Sequence, residues 1–239
     1  MSDGEMPRAA PTLRERKKLR TRRALVSEAL RRFTERGFAE TTLDEVVEAV
    51  EVSQRTFFRN FASKEAVALA PEQELWAAYT AVFAGLPPGG TAQSDYREAL
   101  LAAVLAMDEG WAARFRACRA LAERTPALAG HSLRDCAETT DRVLELAAAR
   151  HPVARPEDAV RQRLLLELML SAWRWAVHDW LLAGAPGAGT ADGGAETADR
   201  GAGAAGDDVD DVDARAELVA RTRRALALLP GVAALAADA

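Results

Sequence analysis

The stretch Thr41-Thr42-Leu43-Asp44-Glu45-Val46-Val47-Glu48-Ala49-Val50-Glu51-Val52-Ser53-Gln54-Arg55-Thr56-Phe57-Phe58-Arg59-Asn60-Phe61-Ala62-Ser63-Lys64 decides the fold. Thr42 followed three residues later by Glu45 is a capping-box pattern, so a helix begins there. Val46, Val47 and Val50 give that helix an apolar face. Ser53 is a good N-cap for the next one. In that second helix Phe57 and Phe61 lie four residues apart and share a face. The other faces carry Gln54, Arg55, Thr56, Phe58, Arg59 and Asn60. Two short helices joined by a tight turn, the second burying aromatics and exposing Gln, Arg, Thr and Asn, suit insertion into a DNA major groove.

Upstream, a helix is expected from Leu13 to Arg36. Its first half is crowded with Arg14, Arg16, Lys17, Lys18, Arg20, Arg22 and Arg23. Its second half turns amphipathic through Leu25, Val26, Ala29, Leu30 and Phe33, and Gly37 ends it as a glycine beyond a helix C-terminus does. Such a basic cluster suits a solvated helix end. Directly before a helix-turn-helix it reads as a phosphate-contacting or minor-groove arm. Residues 1–12 read as a disordered segment.

Downstream, Ser63 caps another helix, which Pro71 kinks or splits. The apolar pattern resumes at Leu75, Trp76, Tyr79, Val82 and Phe83, and Pro87-Pro88-Gly89-Gly90 breaks it. Further helices are expected at about 94–109, 112–124, 126–150 and 156–183. Residues 184–212 hold half of the chain's 16 glycines together with Asp207, Asp208, Asp210 and Asp211, a composition that reads as a flexible loop. A last helix is expected over Asp213 to Leu229, stopped by Pro230-Gly231. The chain thus reads as all-α, with a helix-turn-helix domain at 13–69 and a helical domain at 70–239.

Composition agrees. About half of the 239 residues (49%) are apolar, enough for a core. The net charge of −5 hides an asymmetry: residues 1–64 hold 14 Lys/Arg and 10 Asp/Glu, the remainder 17 and 26. A basic front on an acidic body fits a nucleic-acid-binding head. Cys118 and Cys136 form neither a disulfide framework nor a zinc site, and His131, His151 and His178 are scattered. No metal or cofactor is expected. The N-terminus lacks an apolar signal segment, and Leu164–Leu182 is broken by Glu167, Arg174, His178 and Asp179, so a cytoplasmic chain without a membrane span is expected.

Residues from about 20 to 69 resemble the DNA-binding domain of the tetracycline-repressor (TetR) family of bacterial transcriptional regulators. The matching residues are Gly37-Phe38, Thr41-Thr42, Val46, Ala49, Val52-Ser53, Thr56, Phe58, Phe61, Lys64 and Glu65. The resemblance implies that Thr42 contacts a phosphate at the start of its helix. It implies that Gln54, Arg55, Thr56 and Asn60 face the groove, Arg55 toward guanine and Gln54 or Asn60 toward adenine. Arg59 and Lys64 are implied to hold phosphates, and Phe57 and Phe61 to be core. Three positions depart from the family pattern: Phe58 replaces the usual tyrosine, Glu51 the usual turn glycine, and Val47 a common alanine. Phe58 keeps packing or thymine-methyl contact.

The resemblance further implies a homodimer through helices at about 156–183 and 213–229. It also implies a small-molecule pocket among the middle helices, with candidates Trp76, Met107, Trp111, Phe115, Leu121, His131, Met169 and Trp173. The expected function is a repressor that binds a palindromic operator in double-stranded DNA and is released by its effector. Three alternatives are an activator of the same build, an all-α enzyme and a DNA-packaging protein. Against an enzyme stand the lack of a phased nucleophile and base, a ligand cluster, or a phosphate-binding glycine loop. His178 and Asp179, adjacent on a helix, point about 100° apart and form no dyad. Against packaging stands the overall acidity.

Overall fold

The structure, a computed structural model, describes residues 12–184 and 204–234. Residues 1–11 of the expected disordered segment and 185–203 of the expected loop lie outside the described residues. Ten helices and no strand are found among those described. They are α1 (Leu13–Arg36), α2 (Leu43–Ala49), α3 (Gln54–Asn60), α4 (Lys64–Ala68), α5 (Ala70–Gly85), α6 (Ala92–Leu105), α7 (Trp111–Arg124), α8 (Pro126–Arg150), α9 (Pro156–Ala183) and α10 (Ala204–Ala234). The chain divides into two compact units, Met1–Ala70 and Pro71–Ala239.

The first unit is held by one small core. Leu25, Val26, Ala29, Leu30 and Phe33 of α1 are buried with Val46 and Val47 of α2, Phe57 of α3, Phe61, and Val67 and Ala68 of α4. A fully buried Val, Leu or Phe contributes roughly 1.5–3 kcal/mol, so this set is what fixes the arrangement of α1 to α4. The helix ends are fixed by side chains. Thr42 accepts from the Glu45 N–H while the Glu45 carboxylate accepts from the Thr42 N–H, the reciprocal capping box. Ser53 Oγ accepts from the Thr56 N–H at 3.2 Å, and Ser63 Oγ from the Ala66 N–H at 3.1 Å. Glu51 makes the turn between α2 and α3 at φ 56, a left-handed conformation that a glycine adopts more easily.

In the second unit α5–α10 enclose a larger core. Trp111 is fully buried, stacks on Phe115 with centroids 4.6 Å apart, and donates its indole N–H to the Pro71 carbonyl at 2.9 Å. Pro71 lies in the first turn of α5, where a missing N–H is harmless, so it separates α4 from α5 rather than kinking one helix. Asp95 at the start of α6 is buried and ties α6 to the end of α8 through Arg150 and His151. The helices expected at 94–109 and 112–124 run instead over Ala92–Leu105 and Trp111–Arg124.

Two expectations fail at the C-terminal end. The last helix starts at Ala204, so residues 204–212 are helix rather than loop. Tertiary contacts override the weak local propensity. Asp211 accepts from the Ala112 N–H at 2.9 Å, capping α7, whose own N-cap Gly110 has no side chain. Arg215 donates to the Met107 and Leu105 carbonyls. Pro230-Gly231 does not stop the helix either: Pro230 lies inside α10, which continues to Ala234. So late in a helix, proline removes a single backbone bond near the frayed end.

Candidate nucleic-acid interface and effector cavity

The outer face of α3 is set by its inner one. Phe57 and Phe61 are buried at 0% and 4% exposure, so the rotation of the helix is fixed and Gln54, Arg55, Phe58 and Arg59 are turned outward. Arg22 of α1 locks the end of α3: its Nη1 donates to the Asn60 carbonyl at 2.9 Å and its guanidinium lies 4.3 Å from the Phe61 ring centroid.

The eight expected DNA-contacting residues differ in how free they are. Arg55 and Arg59 are exposed and have no carboxylate partner among the described residues. Phe58 is 54% exposed, its ring edge-on to Phe57. Gln54 is exposed, but its amide N–H donates to Asp44 of α2. Thr42 is exposed with its hydroxyl engaged by Glu45. Thr56 is half-buried and its hydroxyl pairs with Ser53 at 3.1 Å. Asn60 is half-buried, donates to the Thr56 carbonyl at 2.7 Å and leaves Oδ1 without a partner among the described residues. Lys64 is half-buried: its ammonium donates to the Phe38 carbonyl and lies over the Phe33 and Phe38 rings, and burial holds its pKa below the ordinary lysine value.

The basic half of α1 reads from its residues as a phosphate-contacting or minor-groove arm. Residues 13–24 hold seven Lys/Arg and one Glu. That Glu15 carboxylate is engaged by Thr12 at the cap. Further along the same helix, Arg31 and Arg32 pair with Glu28, and Arg36 with Glu45. By contrast Arg14, Lys17 and Lys18 have no carboxylate partner among the described residues and line one groove with Arg59 and Asn60. Cations on α1 thus extend the positive end of α3.

The sequence profile of bacterial regulatory proteins of the tetR family matches residues 25–70, the segment that holds α2, α3 and α4 and the second half of α1. The HTH-type transcriptional regulator TcmR of Streptomyces glaucescens is 36% identical over 177 residues, covering 72% of this chain and 78% of TcmR. The chain belongs to the tetR family. It is a DNA-binding transcriptional regulator, and its relatives are regulators, not enzymes. Among solved structures, a TetR-family regulator from Mesorhizobium loti is similar over 89% of this chain and 98% of its own at 16% identity and a TM-score of 0.44. Salmonella enterica GusR is similar over 87% and 96% at 20% identity and a TM-score of 0.40.

The body of this tetR-family chain contains a cavity of about 360 Å³ between α5, α7, α8 and α9. Trp76, Phe115 and Trp173, three of the eight candidates, line it. The other five candidates do not. Trp111, Leu121 and Met169 are core, Met107 packs on the core with its carbonyl held by Arg215, and His131 is half-buried on α8. Glu72, Arg119 and Ser132, which sequence reasoning did not join, form the polar wall. Arg119 Nη1 donates to Glu72 at 2.8 Å and to Ser132 at 2.9 Å, and Ser132 donates to Glu72 at 2.8 Å. These residues lie 13 to 60 positions apart, so no local spacing joins them. His178 stands at the cavity with Glu123, while Asp179 points to Arg221, so the two adjacent residues serve different contacts.

One face of α9 carries a row of exposed apolar side chains, interrupted by Ser171 and His178. Val160, Leu164, Leu168, Trp175 and Leu182 are each at least half exposed. At 100° per residue they fall within roughly 80° of arc, opposite the buried Leu166, Met169, Leu170, Trp173 and Val177.

Proposed function

We propose that the chain works as a homodimeric repressor that occupies a palindromic operator and leaves it when a small molecule fills the cavity. The observation that carries this is the outward face of α3, where Arg55 and Arg59 stand free on a helix whose rotation Phe57 and Phe61 fix. Arg55 reads a guanine edge, Gln54 offers its remaining amide oxygen to a base donor, and Phe58 meets a thymine methyl. Arg59 and the cations of α1 hold phosphates, which fix register without reading sequence. Thr42 and Lys64 contribute at most a phosphate contact, since both already have partners within the protein. Acting on DNA places the chain in the cytoplasm. No described helix is long and apolar enough to cross a membrane.

The exposed stripe on α9 supports dimerisation. A monomer gains nothing from a row of apolar side chains in water, and two copies of α9 with α10 bury it as a four-helix seam. Two heads then meet successive major grooves. Effector in the cavity stabilises a conformation with a different head spacing, to the extent that it binds that conformation more tightly.

The test is a shift of duplex DNA from the region upstream of its own coding sequence by wild type and by Leu168→Glu/Trp175→Glu. Wild type runs as a dimer and shifts the fragment; the variant runs as a folded monomer and binds far more weakly. A wild-type monomer that shifts no DNA sinks the proposal. Repression itself is checked by transcription from that fragment, which falls with added protein; a rise marks an activator.

A further inference from the structure

We infer that the cavity takes an uncharged, largely apolar aromatic molecule that presents a hydrogen-bond acceptor oxygen to Arg119. This rests on reading the cavity as the effector site. Three aromatic side chains form its walls, and Phe115 and Trp173 lie 6.3 Å apart with planes at 35°. Flat ring systems gain most from such walls.

The polar wall then selects by hydrogen-bond sense. Glu72 is 4% exposed, and its oxygens accept from Arg119, from Ser132 and from the Trp76 indole at 3.3 Å. Ser132 both donates to Glu72 and accepts from Arg119. The acceptors of the cluster are therefore engaged from within. Arg119 uses only Nη1; its Nε–H and Nη2–H groups have no acceptor among the described residues, and the side chain lines the cavity. The cluster offers donors, so a ligand carbonyl or ether oxygen completes it, whereas a ligand donor finds no partner there.

Charge selects as well. Glu72 cancels Arg119, and Glu123 faces the cavity with Arg174. With no net charge in the lining from these four, an ionised ligand loses hydration without a compensating counter-charge.

The test uses two naphthalenes that differ by one acceptor: 6-propionyl-2-(dimethylamino)naphthalene and 2-(dimethylamino)naphthalene. Each is titrated into the full-length protein and followed by probe emission. The ketone is expected to bind saturably and about tenfold tighter than its parent. Arg119→Lys keeps the ion pair with Glu72 but removes the guanidinium fork. It is expected to bring the ketone's affinity down to that of its parent. Trp173→Ala weakens both probes. Equal affinities in wild type, a preference that survives Arg119→Lys, or no saturable binding of either probe overturns the inference. DNA binding of the same preparations is measured in parallel. Ketone preference without release of DNA supports the chemistry of the cavity and contradicts its effector role; equal affinities of the two probes for wild type, with DNA binding intact, overturn the inference alone.

Discussion

Gln54, the first residue of α3, donates its side-chain amide to the Asp44 carboxylate of α2. The pair holds one of the two amide N–H groups and fixes the plane of the amide, leaving the carbonyl oxygen and the second N–H. A base edge that offers a donor beside an acceptor, as adenine does, is then favoured at that position. Asp44→Ala frees the amide to turn either way. Base preference at one position of each half-site is expected to broaden, with total affinity changing less than about tenfold. Binding to half-sites randomised at single positions checks this; an unchanged preference contradicts it.

Arg59 and Lys64 are both cations beside the recognition helix, and the structure separates them. Arg59→Ala should weaken binding to all sequences alike and reduce the salt slope by about one phosphate contact. Lys64→Ala should lower the stability of the first unit by about 1–2 kcal/mol, because its ammonium is held by the Phe38 carbonyl and two aromatic rings. Thermal midpoints and salt titrations of both variants distinguish them. A flatter salt slope with unchanged stability in Lys64→Ala would reverse that assignment.

Glu51 holds the turn of the motif at φ 56. Glu51→Gly relieves this and is expected to raise stability by up to about 1 kcal/mol, a shift of about 2–4 °C for a chain this size. It also removes a negative charge from the DNA-binding unit, so affinity should rise, most visibly at low salt. Calorimetry and binding at two salt concentrations test both parts. A lower midpoint would show that Glu51 makes a contact worth more than its strain.

Burial pushes the Asp95 carboxyl up, but hydrogen bonds and charge from Arg150 and His151 outweigh it and leave it below the ordinary aspartate value of 3.8. The folded value thus lies below the unfolded one. The stability it contributes is present above the unfolded value and is lost as pH falls through the folded one. Asp95→Asn should cost about 3 kcal/mol near neutrality, as breaking a buried pair does, and the gap to wild type should close below about pH 4. Denaturant titrations across that range check the sign; a gap that widens in acid contradicts it.

Much of the motif was legible because its signals are local. Thr42 with Glu45, Ser53, Gly37 and the spacing of Phe57 and Phe61 each act within four residues, and each does in the structure what the spacing implies. The start of α10 was not legible, because the bonds that anchor this end of the helix, from Asp211 and Arg215, reach residues about a hundred positions away. The same holds for the cavity. Its aromatic walls stood out by residue type, whereas Trp111 and Met169 have the same character and became core. The Glu72, Arg119 and Ser132 cluster exists only once α5, α7 and α8 are packed. The bond from Asn60 back to the Thr56 carbonyl was not legible either, because a polar residue in that position can turn toward its own helix or away from it.

In the proposed function, Arg55 on the outer face of α3 reads sequence for a two-fold symmetric dimer. Selection of bound duplexes from a random pool, with wild type and Arg55→Ala in parallel, measures this. An inverted repeat with a guanine in each half-site is expected for wild type, and for Arg55→Ala the same repeat with that guanine no longer selected, at a cost of about 1–3 kcal/mol. No enriched repeat, or an identical consensus from both proteins, would contradict it.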